Sequence, residues 1–210
     1  MFTGEFFVRQ QSNQCGLHAL QNMFKSAALT KQDLRAACES IYAETGDPVC
    51  NHESRGGDWS VAAIVTTLRR SGYQVSRSVA SKADGRVWKG DSFEQLLDNV
   101  QFRGLVVHQP MNHHFTCIRP ELVDGQRQLF YVDSQSSGPI RISAKLAERR
   151  CLAAAYAWEP YVVIGAPMDF VAPPHHATIP GALSQKKQPH KVRPSEDFLA
   201  AWRHYSNQNH

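Results

Sequence analysis

The sequence has no apolar run long enough to cross a membrane and no segment typical of a secretory leader. Its longest unbroken apolar run covers residues 151–158, whereas a membrane-spanning helix needs about 20 apolar residues. The opening segment MFTGEFFVRQ contains an acidic residue and no long apolar stretch, unlike a secretory signal. We therefore expect a protein that neither inserts into a membrane nor carries a secretion signal.

The sequence also has no Cys-x-x-Cys pair, and its cysteines are odd in number and irregularly spaced. Such a set argues against a disulfide framework and for a reducing compartment. We expect the cytoplasm or nucleus, and the sequence leaves open whether the chain acts in its own cell or is delivered to a host. Cys50 and His52 lack further ligands at metal spacing, so we expect neither a metal nor a cofactor. The five cysteines are Cys15, Cys38, Cys50, Cys117 and Cys151.

The remaining composition is that of an ordinary globular protein. Hydrophobic residues make up 42% of the 210 residues, charged residues 20%, and the net charge is +4. This charge is too small to indicate a nucleic-acid partner, and we expect none. Prolines and basic residues concentrate after residue 166. We predict a domain over 1–166 and a proline-rich basic tail over 167–210. A short amphipathic helix at 195–205 in this tail is suited to docking a protein partner.

The hydrophobic periodicity predicts helices first and strands afterwards, which indicates an α+β fold with N-terminal helices packed on an antiparallel sheet. Apolar residues at helical spacing predict a helix over 15–25, and Thr30 with Asp33 resembles a capping box for the next helix. Further helices are predicted from about residue 58 to 72, over 92–100 and over 143–154. Predicted strands cover 73–79, 104–108, 113–119, 128–133 and 161–164, with a hairpin turn at Asp124-Gly125.

Cys15 is the first candidate for chemistry, in the segment RQQSNQCGLHALQNM. It opens a predicted helix, and a helix N-terminus favours the thiolate that acts as a nucleophile. Gln10, Gln11 and Gln14 each offer an amide that could bind an oxyanion together with a backbone N–H. The alternative is that Cys15 is a small buried residue at the start of a helix, which is a common position for a lone cysteine.

A nucleophilic cysteine needs a histidine and a third group that orients the imidazole. His113 and His114 begin a predicted strand in MNHHFTCIRP, and Asp133 ends the next strand in QLFYVDSQ. Neighbouring strands can bring a histidine and a carboxylate within hydrogen-bonding distance. The order Cys, His, Asp along the chain is that of papain-like thiol hydrolases. For each of these residues taken alone, a surface residue at the end of a strand is the more common case.

Together these segments resemble the Josephin family of deubiquitinating cysteine proteases, over about residues 5–165. The family motif has Gln five residues before Cys and then His, Leu and Asn. A His-x-Phe-Thr motif and an Asn/Asp-Ser pair follow it, and this chain matches them at His113 and Asp133. The resemblance implies a papain-like fold, with Cys15 as nucleophile, His113 as general base and acid, Asp133 orienting the imidazole, and Gln10 as oxyanion donor. The residues that match the first motif are Gln10, Cys15, Gly16, His18, Leu20 and Asn22.

The resemblance thus predicts a thiol protease that cleaves after the C-terminal Gly-Gly of ubiquitin through a thioester, with ubiquitin or polyubiquitin conjugates as partners. A first alternative is a papain-like peptidase of the bacterial type that cleaves after double glycine. Those enzymes usually carry the Gln six residues before the cysteine, where this chain has Arg9. A second alternative is a binding module without catalytic activity, whose basic tail contacts RNA or an acidic surface.

Overall fold

A computed structural model describes residues 6–10, 13–54, 57–83 and 85–165 of the chain. The predicted tail over 167–210, with its helix at 195–205, lies outside the described residues. The helices are α1 (Cys15–Phe24), α2 (Lys31–Thr45), α3 (Val61–Arg70), α4 (Phe93–Asp98) and α5 (Ala144–Leu152). The strands are β1 (Gln74–Arg77), β2 (Val79–Lys82), β3 (Gly85–Trp88), β4 (Phe102–Gln109), β5 (His114–Val123), β6 (Gln126–Val132), β7 (Ile140–Ile142) and β8 (Glu159–Ile164).

Side-chain caps fix the start of most of these helices. The Thr30 hydroxyl accepts from the Asp33 N–H, and the Asp33 carboxylate accepts from the Thr30 N–H, so α2 begins with the predicted capping box. Ser92 and Gln95 form a second capping box at α4. Ser60 caps α3 through the Ala63 N–H. Because these caps satisfy backbone donors that a helix leaves open, they determine where each helix starts.

Six strands form one antiparallel sheet in the order β1-β8-β4-β5-β6-β7, and β2 and β3 pair separately as a hairpin. The α+β class with an antiparallel sheet is therefore confirmed. The single strand predicted over 73–79 is wrong, because it breaks at Ser78. The Ser78 N–H donates to the Pro160 carbonyl, and its own carbonyl accepts from the Lys89 N–H. The chain thereby passes from the large sheet into the small hairpin.

Alternate residues of the central strands pack on opposite faces of the large sheet. Val106, Cys117 and Val132 belong to one buried cluster with side chains of α1, α2 and α3. The intervening residues, such as Leu105 and Ile118, are also buried but lie outside that cluster. The three N-terminal helices therefore cover one face of the sheet. Among the residues that the structure describes, no helix is long and apolar enough to cross a membrane.

Candidate active site

Cys15 is the first residue of α1, and it is buried with 3% of its surface exposed. The first turn of α1 contains no acidic residue, so no carboxylate there opposes the favourable field of the helix N-terminus for an anion. The next residue, Gly16, allows α1 to pack closely, because a Cβ at this position would lie 2.8 Å from Ile64 Cδ1. The helix therefore presents the sulfur from a fixed, tightly packed position.

A histidine and an aspartate meet at the ends of β5 and β6. His114 is the first residue of β5, Asp133 directly follows β6, and Nε2 of His114 lies 2.9 Å from Oδ1 of Asp133. Both residues are buried, with 7% and 8% of their surfaces exposed. The predicted meeting of a histidine and a carboxylate from neighbouring strands is therefore present in the structure.

The His114 imidazole also interacts with the Cys15 thiol. Burial alone would lower the pKa of His114, but hydrogen bonds to Asp133 and Cys15 and the charges of both groups outweigh burial and raise this pKa to about 9. Because Nε2 bonds to Asp133, Nδ1 is the nitrogen left for the sulfur. The site thus favours a positively charged imidazolium between a sulfur and a carboxylate.

Asp133 is itself held in place by the turn that follows β6. The Gln135 N–H donates to Asp133 Oδ1 at 2.9 Å, and the Ser136 hydroxyl donates to the Asp133 carbonyl at 2.7 Å. The backbone N–H of Ser136 donates to the same carbonyl at 2.9 Å. These bonds fix both the carboxylate and its backbone, so the carboxylate can hold the imidazole in one orientation.

The imidazole at this site belongs to His114 and not to His113, which the resemblance had placed there. Gln109 pairs with His114, so the hairpin loop comprises residues 110–113 and β5 starts one residue later than predicted. His113 closes that loop in a left-handed conformation with φ 47° and is exposed. Its backbone carbonyl, rather than its imidazole, lies near the thiol, with 3.8 Å between Cys15 Sγ and the oxygen.

Gln10 lies in the segment before α1 and contacts the residue that follows Asp133. The Gln10 N–H donates to the Ser134 carbonyl at 2.7 Å, and the Ser134 hydroxyl donates to Gln10 Oε1 at 3.1 Å. The structure thus places Gln10, the oxyanion donor that the resemblance implied, beside the strand end that carries Asp133. The hydrogen bond from the Ser134 hydroxyl to Gln10 was not predicted, although Ser134 directly follows Asp133 in the matched Asp-Ser pair.

Asn22 and Arg119 hold the rest of this N-terminal segment. Asn22 exchanges two hydrogen bonds with the Val8 backbone, at 2.7 Å from the Val8 N–H and 3.0 Å to the Val8 carbonyl. Arg119, which is fully buried, donates to the Phe6 carbonyl at 3.1 Å and to the Asn22 carbonyl. Asn22 belonged to the matched motif, and the structure gives it this bracing position. Nothing in the sequence pattern indicated the buried arginine.

A further question is whether the described side chains could bind a metal ion. Within residues 6–10, 13–54, 57–83 and 85–165, no group of three or more His, Cys, Asp and Glu side chains could hold a metal ion. Of the two residues considered for a metal, His52 instead bonds to Ser60 Oγ at 2.9 Å and pairs with Asp47 at 3.0 Å.

No family model matches the chain, and no curated protein matches its sequence.

Proposed function

We propose that the chain is a cysteine-type deubiquitinase with a papain-like arrangement, in which Cys15, His114 and Asp133 act together. The observation that supports the chemistry best is the 2.9 Å contact between His114 Nε2 and Asp133 Oδ1, which leaves Nδ1 of the same ring for the Cys15 sulfur. The substrate, ubiquitin linked through its C-terminal Gly-Gly, follows from the Josephin resemblance. In this proposal His114 takes the role that the motif assigned to His113.

The first half of the reaction forms a thioester. The Cys15 thiolate attacks the carbonyl carbon of the second glycine of Gly-Gly, and the carbonyl oxygen becomes an oxyanion. The backbone N–H of Cys15 has no acceptor within α1 because it lies at the helix start, so it can donate to that oxyanion, as can the Gln10 amide. The imidazolium of His114 then gives its Nδ1 proton to the leaving amine, the C–N bond breaks, and a thioester remains.

The second half of the reaction releases the acid. Neutral His114 takes a proton from water, the resulting hydroxide equivalent attacks the thioester, and the C–S bond breaks. The products are the ubiquitin carboxylic acid, which releases its proton to solvent and becomes the carboxylate, and the Cys15 thiolate, and the imidazolium is restored. Asp133 stabilises the imidazolium in both halves of the cycle and keeps Nδ1 directed at the sulfur.

The test is incubation with ubiquitin whose C-terminus carries a thiol-reactive alkyne. We expect the chain to gain the mass of one ubiquitin, and we expect Cys15→Ala to abolish this gain. Cys117→Ala is the matched control, because burial raises the pKa of Cys117 to about 12 and its thiol should not react. A chain that forms no adduct but cleaves a double-glycine peptide would instead be a peptidase of that type. A chain inactive in both assays would be a binding module.

A further inference from the structure

Gln10 and Ser134 are joined by two hydrogen bonds of different kinds. One is between backbone groups, at 2.7 Å, and the other runs from the Ser134 hydroxyl to Gln10 Oε1, at 3.1 Å. Ser134 is 2% exposed, so its hydroxyl has little access to water. A buried hydroxyl that loses its partner is costly, which favours a persistent bond to the Gln10 side chain.

The side-chain bond selects one orientation of the Gln10 amide. An amide carries an oxygen that accepts and an NH2 group that donates, on opposite sides of the same carbon. With the Ser134 hydroxyl donating to Oε1, the NH2 group points away from Ser134. If the amide turned over, Oε1 would take the place of the NH2 group and repel an oxyanion. While the Ser134 hydroxyl donates to Oε1, as it does in the structure, the NH2 group of Gln10 remains the side that faces away and can donate to an oxyanion.

The backbone of the N-terminal segment does not depend on this hydroxyl. Asn22 and Arg119 hold the backbone of residues 6–8, and the Gln10 N–H uses the backbone carbonyl of Ser134, which any residue supplies. Removing the hydroxyl thus leaves Gln10 in place and frees only its amide. The orientation of the Gln10 amide can therefore be tested without disturbing the backbone that carries it.

We propose that Ser134 is a positioning residue that acts through Gln10, holding its NH2 group toward the oxyanion of the acyl-transfer step. The proposal rests on the proposed function for the reaction itself. Ser134 touches neither substrate nor nucleophile in this role. Its contribution is to keep the oxyanion donor oriented before the substrate arrives, which is the condition for effective electrostatic stabilisation.

Two probes distinguish this role from a general structural one. Iodoacetamide reacts when the Cys15 thiolate displaces iodide from a saturated carbon, so no oxyanion forms. Hydrolysis of a ubiquitin C-terminal fluorogenic amide passes through an oxyanion. We expect Ser134→Ala to lower kcat on the amide about tenfold, the value of one ordinary hydrogen bond, with KM nearly unchanged. The rate of iodoacetamide alkylation of Cys15 should remain that of the wild type.

The double substitution provides the decisive control. Gln10→Ala removes the donor and should lower kcat about 100-fold or more. If Ser134 acts through Gln10, adding Ser134→Ala to Gln10→Ala lowers kcat no further. Ser134→Thr keeps the hydroxyl and should recover most of the loss, while Ser137→Ala, at an exposed position of the same turn, should leave kcat unchanged.

Three results would overturn the proposal: multiplicative losses in the double variant, equal slowing of alkylation and amide hydrolysis in Ser134→Ala, or wild-type kcat in that variant. Hydrolysis of p-nitrophenyl acetate separates this failure from failure of the proposed function. A wild-type chain that hydrolyses this ester but not the ubiquitin amide contradicts the ubiquitin assignment. In that case kcat for the ester, compared among Ser134→Ala, Gln10→Ala and the double variant, still decides the role of Ser134.

Discussion

The charge on His114 should make the stability of the folded chain depend on pH. The ordinary pKa of a histidine is 6.5, and the folded site raises that of His114 to about 9. Between these values the folded state binds more protons than the unfolded state, so stability falls as pH rises. The stabilisation is complete below about pH 6.5 and is lost by the time the pH has risen through about 9.

The size of this effect follows from the two pKa values. A tenfold change in a protonation equilibrium is worth about 1.4 kcal/mol, so a rise from 6.5 to about 9 corresponds to about 3 kcal/mol for this buried group. Burial lowers the pKa of His114, and the hydrogen bonds and charges of Asp133 and Cys15 raise it by more. We therefore expect the free energy of unfolding to fall by about 3 kcal/mol between pH 6 and pH 9.5 because of His114 alone.

The measurement is the free energy of unfolding from urea denaturation at several pH values. His114→Asn is compared with the wild type, so that the contributions of other titratable groups cancel in the difference. The difference between the two curves should shrink by about 3 kcal/mol as the pH rises. His113→Asn is the matched control, because Asn tolerates the left-handed conformation found there, and it should keep the wild-type pH dependence. Identical pH dependence in wild type and His114→Asn would refute the account of the charged site.

Three further predictions concern turnover and packing. Cys15→Ala should abolish turnover with little change in melting temperature, whereas Cys117→Ala should retain turnover; the reverse result would contradict the choice of nucleophile. Gly16→Ala should destabilise the fold by about 1–3 kcal/mol through overpacking, because the added methyl lies 2.8 Å from a side chain of α3. Gly138→Ala is the control, because its added methyl meets nothing within 4 Å. The melting temperatures of the two variants are compared with that of the wild type. Removing residues 167–210 should leave turnover of a minimal ubiquitin substrate and the melting temperature nearly unchanged, and a large loss of stability would contradict the predicted boundary.

The sequence predicts the helices well because their signals are local. The capping pair Thr30 and Asp33, the cap at Ser60, and apolar residues at helical spacing all act within one or two turns. The hairpin of β2 and β3 was missed because only Val79 of its residues is buried, so no alternation of buried apolar residues marks it. Its start depends on the Ser78 N–H, which donates to the Pro160 carbonyl, and on the Ser78 carbonyl, which accepts from the Lys89 N–H. A local sequence pattern does not contain these contacts.

The candidate site was predictable in its residue types but not in its exact register. The motif order indicated Cys15 and Asp133, and it gave Gln10 a place beside them. Which histidine meets Asp133 depends on the pairing of Gln109 with His114, and hence on how many residues the loop takes. The sequence offers two adjacent histidines, and only the loop geometry distinguishes them.

The measurement that tests the central claim most directly is kcat/KM for a ubiquitin C-terminal amide in two matched variants. His114→Asn removes the imidazole that bonds to Asp133, and we expect kcat/KM to fall at least about 100-fold because proton transfer is lost in both halves of the reaction. His113→Asn changes an exposed side chain and should alter kcat/KM less than about threefold, within the effect of an ordinary surface substitution of up to about 0.5 kcal/mol. A large loss in His113→Asn with near-normal turnover in His114→Asn would contradict the proposed catalytic site.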